Sequence, residues 1–141
     1  GPSWQLCCFG RSCRRHQMVG FLQKFGIKST FGSTLKAARR NPIATQVAIA
    51  LDVQSSLRRI SATVEGKNSA ESSAFLRNEL QLAVNQRHRV NAAGNTDEGH
   101  PAYARAALLE SAITAICSGD EGLANSVIGD LNGWFGELGL S

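Results

Sequence analysis

The sequence predicts an all-α fold, a compact bundle of four main helices preceded by a less regular, basic N-terminal segment. Three observations predict it. Apolar residues recur in steps of three and four, no stretch alternates with period two for long, and proline is absent from every helix interior the pattern defines. With 141 residues, 43% hydrophobic and 18% charged, the chain is long enough for one domain with a real core and too short for two ordinary ones. No uninterrupted apolar run approaches the roughly 20 residues of a membrane span.

Residues 1–17 are set apart. Gly1-Pro2-Ser3 has the character of a remnant left by tag removal, Met18 is the only methionine, and the residues between show no periodicity. They are read as a tag remnant or an upstream extension, leaving a single helical domain over 18–141. Three of the four cysteines, Cys7, Cys8 and Cys13, fall in this extension, so disulfides are not expected to hold the core. Their spacing with His16 lacks the paired C-x-x-C units of a zinc site, and neither metal nor cofactor is expected. Cys117 reads as a small buried apolar residue.

In residues 18–40, Phe21, Leu22, Phe25, Phe31 and Leu35 are interrupted by Gly20, Gly26 and Gly32, which predicts one or two short helices. From Pro42 to Val64, the residues Ile49, Val53, Leu57, Ile60 and Val64 form one stripe of a continuous helix, with Asn41 as its cap and Gly66 at its end. Asn68 and Glu71 have capping-box spacing, and Phe75, Leu76, Leu80 and Ala83 give the next helix its apolar face. After a polar loop at 95–99, Pro101 opens a helix carrying Leu109, Ile113 and Ile116, closed by Gly119. Asp120 caps the last helix, whose stripe is Leu123, Val127, Leu131, Trp134 and Leu138.

Three features bear on function. Charge is segregated along the chain. Residues 18–89 hold eleven basic and four acidic side chains, residues 90–141 one base and seven acids, and no acid precedes Asp52. The two parts should attract one another. Lys24, Lys28, Lys36, Arg39 and Arg40 form a basic face that could meet phosphate, anionic lipid or an acidic partner.

The last helix carries the second feature. Gly122, Gly129, Gly133 and Gly136 each weaken a helix by about 1 kcal/mol relative to alanine, and Gly129, Gly133 and Gly136 share a side where another backbone could approach. Close crossing within the bundle is the first expectation and a partner or second copy the alternative. Adjacent helical residues lie about 100° apart, so Trp134 should fall inside and Phe135 should be the more exposed, an aromatic anchor for a partner.

The third feature spans 45–60. Thr45-Gln46, Ile49-Ala50 and Leu51 through Ile60 resemble the helix-turn-helix of bacterial repressor-type DNA readers, with Asp52 where the turn glycine belongs. That resemblance implies Ser55, Ser56, Arg58 and Arg59 as nucleic-acid contacts in the major groove.

Catalytic signatures are absent: there is no P-loop, G-x-S-x-G, H-E-x-x-H or C-x-x-C. The only clustered protic groups, Asp97, Glu98, His100 and Tyr103, lie around one loop that could supply a general base but reads more simply as the start of a helix. His88, between Arg87 and Arg89, reads as solvent-facing. The expectation is a non-catalytic protein-binding module of adaptor, chaperone, immunity-inhibitor or secreted-effector type, meeting another protein or a second copy through Gly129, Gly133, Gly136 and Phe135. A nucleic-acid-binding regulator is the alternative, and an enzyme using the 97–103 loop the second. A cytoplasmic location is favoured, although the acid-free Met18–Ala50 stretch resembles a transit or secretion signal.

Overall fold

The computed structural model describes residues 21–95 and 97–140, with side chains from Phe25 onward. The reading of residues 1–17 lies outside the described residues. Five helices make up the fold: α1 Phe21–Ala38, α2 Ile43–Glu65, α3 Ser69–Ala92, α4 Pro101–Cys117 and α5 Glu121–Glu137. No strand occurs among the described residues.

The first helix corrects an expectation. Gly26 and Gly32 do not break it, and α1 is one continuous helix. Both glycines face open space, while Phe31, Thr34, Leu35 and Ala38 are buried on the opposite side. Tertiary burial of that face outweighs the roughly 1 kcal/mol that each glycine subtracts from helix stability.

The expected stripe of α2 is buried in full: Ile49, Val53, Leu57, Ile60 and Val64. Its start differs from expectation. Pro42 occupies the cap position with no side-chain bond, and Asn41 instead donates its Nδ2 to Ala38 O (3.0 Å) and Gly99 O (2.8 Å). Asn68 caps α3 by accepting from Glu71 N, as the spacing predicted. His100 Nδ1 caps α4, with Pro101 at its first turn, and Asp120 caps α5 through Leu123 N. Gly94 and Gly119 follow α3 and α4 with φ of 90° and 75°, the left-handed region where glycine alone is unstrained.

The four expected main helices, α2 to α5, are present, and α1 joins them as a fifth. Helix α4 lies at the centre and touches the other four, which surround it in the order α1, α5, α2, α3. No residue of α4 is fully exposed, and Ala104, Ala106, Ala107, Leu108, Ala112, Ile113, Ala115 and Ile116 are buried around its circumference. A helix apolar on all sides belongs in an interior, and its alanines let four neighbours approach closely. Cys117 at its end is half-buried against the core.

The expected attraction between the basic and acidic parts of the chain joins elements. Arg39 meets Glu137 (2.6 Å) and Arg87 meets Glu110, while in the reverse sense Arg105, the one base of the second part, stands 3.8 Å from Asp52 of the first. The ordered loop before α4 is held against α1, where Ser33 Oγ donates to Glu98 Oε2 (2.8 Å). A Cβ on Gly99 would stand 3.2 Å from Ala37 O, so the loop backbone lies almost directly on α1.

Candidate functional site

Helices α2 and α5 meet at their buried stripes but leave a groove of ≈ 550 Å³ between their outer edges. Its floor is apolar: Leu57 from α2, and Ile128, Leu131 and Phe135 from α5. Arg58, Ala62 and Glu65 form an exposed rim on the α2 side, and Asn132 and Gly136 on the α5 side. Gln54 donates its Nε2 to Leu140 O (3.3 Å), so the segment after α5 folds back and closes one end. An apolar floor with a sparse polar rim of both charge signs suits the side chains of a protein partner.

The aromatic pair departs from expectation. Trp134 is buried as predicted at 1% exposure, but Phe135, expected outside, is buried too at 3%. The rings stand 5.9 Å apart. The α5 stripe predicts only one buried side, whereas the helix is covered on two, by α4 and by α2. Phe135 is thus the floor of the groove rather than a projecting anchor. Trp134 Nε1 donates to Gln46 Oε1 (3.0 Å), and Gln46 Nε2 donates to Arg39 O and Asn41 O. One buried amide therefore ties the α1–α2 corner to α5.

The glycines form no close crossing inside the chain. A Cβ at Gly129, Gly133 or Gly136 would meet nothing within 4 Å. Gly136 edges the groove, while Gly129 and Gly133 face solvent beside Asp130 and Glu137.

The expected basic face is described in part. Lys28, Lys36 and Arg40 are exposed, Arg39 is engaged by Glu137, and the Lys24 side chain lies outside the described ones. The helix-turn-helix expectation is corrected: residues 45–60 lie within the unbroken α2, and Asp52 sits in mid-helix with no turn. On that helix Ser55 and Arg58 are exposed, Ser56 is half-buried, and Arg59 pairs with the buried Glu79 at 2.7 Å. Only Arg58 joins the groove.

The protic groups at 97–100 make two local bonds and one to α1. Asp97 Oδ1 accepts from Gly99 N, Glu98 from Ser33, and His100 Nδ1 from Ala102 N. Among the described residues no three His, Cys, Asp or Glu side chains cluster as metal ligands. Two smaller recesses flank α4. One, of ≈ 440 Å³, surrounds the Arg87–Glu110 pair, whose hydrogen bonds raise the Arg87 pKa above its ordinary value. The other, of ≈ 260 Å³, contains the Arg59–Glu79 and Arg105–Asp52 pairs.

Of the residues singled out in sequence, the groove unites Gly136, Phe135 and Arg58, and leaves Gly129 and Gly133 on open surface. Sequence reasoning missed Gln54, Ser61, Ala62, Glu65, Ile128, Asn132 and Leu140. The apolar period signals which residues two helices bury, not where two cylinders fail to close. No protein-family model, curated protein or solved structure matches this chain.

Proposed function

We propose that this chain is a non-catalytic protein-binding module whose docking site is the α2–α5 groove. The observation that carries the reading is the ≈ 550 Å³ groove itself, with an apolar floor of Leu57, Ile128, Leu131 and Phe135. Those four side chains are 0–5% exposed, so an apolar segment of a partner would seat between the exposed rims, against the edges of that floor. Arg58 and Glu65 stand seven residues apart on α2, two helical turns, so a partner carrying an acid and a base about 10 Å apart would pair with both.

The test fills the groove without disturbing the core. Gly136→Leu places a side chain at the groove edge, where a Cβ has open space. A photo-crosslinker at Ser61 should trap a discrete protein from an extract of the source cells, and Gly136→Leu should abolish that crosslink while far-UV circular dichroism is unchanged. Equal trapping in both proteins would refute the groove as the docking site.

A further inference from the structure

The first half of α2 is apolar on its outer side as well as its inner one. Ile43 is 65% exposed and Leu51 45%, Ala44 and Ala48 are exposed, and Val47 is half-buried. At 100° per residue these five share one face, a stripe about 12 Å long. No charge interrupts it. Its ends carry opposite charges, with exposed Arg40 just before α2 and exposed Asp52 just after Leu51.

We propose that this stripe pairs antiparallel with the same stripe of a second copy of the chain. A two-fold axis at Val47 is what the residue order fits. Position 43 then faces position 51 of the other copy, and Val47 faces Val47. The large side chains Ile43, Val47 and Leu51 form the seam, and Ala44 and Ala48 beside it allow close helix approach. The charges select the same direction. Antiparallel pairing brings Arg40 of each copy opposite Gln54, two residues from Asp52 of the other, whereas parallel pairing sets like against like. Asp52 can accept this second cation, since its Arg105 contact is 3.8 Å long and the Asp52 side chain is 62% exposed. The stripe is smaller than the ≈ 800 Å² per partner of a standard interface, so the product is a concentration-dependent dimer. This proposal is independent of the groove, and Gly136→Leu should leave it intact.

Sedimentation equilibrium over a wide concentration range tests it. The wild-type mass should rise towards twice the monomer value, and Val47→Glu should raise the dissociation constant by at least about tenfold. Ala48→Glu, at an exposed site, should do the same if Val47→Glu fails to fold. Arg40→Asp and Asp52→Arg should each weaken the dimer, and the two together should restore it. A monomer at every concentration would overturn the proposal, as would a dimer indifferent to Val47→Glu and Ala48→Glu. A monomer whose co-sedimentation with phosphatidylserine vesicles is lost in Val47→Glu would assign the stripe to an anionic bilayer instead.

Discussion

Replacing Gln46 by leucine should destabilise the protein even though position 46 continues the buried face of α2 one turn before Ile49 and leucine would extend its apolar stripe. Gln46 is 7% exposed, and both amide hydrogens and the amide oxygen are engaged. Nε2 donates to Arg39 O at 2.9 Å and Asn41 O at 2.8 Å, and Oε1 accepts from Trp134 Nε1 at 3.0 Å. The amide orientation is forced, since an indole N–H only donates and carbonyls only accept. Leucine keeps most of the volume, so the cavity contribution is small. Three bonds of about 0.5–1.5 kcal/mol net are lost, and the indole N–H of a residue 1% exposed is left without a partner, at about 1–3 kcal/mol. Water can reach the two turn carbonyls, and leucine adds apolar burial, so the expected loss is about 2–4 kcal/mol. Urea denaturation followed at 222 nm measures it. Trp134→Phe removes the other partner, and the double variant should be less destabilised than the sum of the two by about 1–2 kcal/mol. Strict additivity, or a Gln46→Leu loss below about 0.5 kcal/mol, would refute the bridging role.

Three further outcomes are expected. Thr34 is 1% exposed and its hydroxyl has no hydrogen-bond partner, so Thr34→Val, which keeps the shape, should stabilise by about 1 kcal/mol in thermal unfolding. A lower melting temperature would mean that the hydroxyl is satisfied. Gly133→Ala should stabilise by about 0.5–1 kcal/mol, because the added methyl meets nothing and the helix gains propensity. Destabilisation there would contradict the open face. Gly119→Ala should destabilise by about 1–2 kcal/mol, since φ is 75° at the turn between α4 and α5; an unchanged denaturation midpoint would refute the left-handed turn.

The sequence by itself determined the helices. The stripes of α2 and α5, the Asn68 and Asp120 caps, and Pro101 at the start of α4 are local features, set by a 3.6-residue repeat and by backbone groups needing partners within a few residues. The attraction between the basic first part of the chain and the acidic second was legible for the same reason, since charge order needs no coordinates. Tertiary structure decided what depends on which helix lies beside which. The glycines of α1 predict one or two short helices, but a buried face against α4 holds all 18 residues in one. The stripe of α5 places Trp134 inside and Phe135 outside, and the second expectation fails because the other side of that helix is covered only once α2 lies against it. The groove is likewise a property of two helices meeting at one edge and parting at the other. Burial by a neighbour distant in the chain is non-local, and no periodicity within a single helix encodes it.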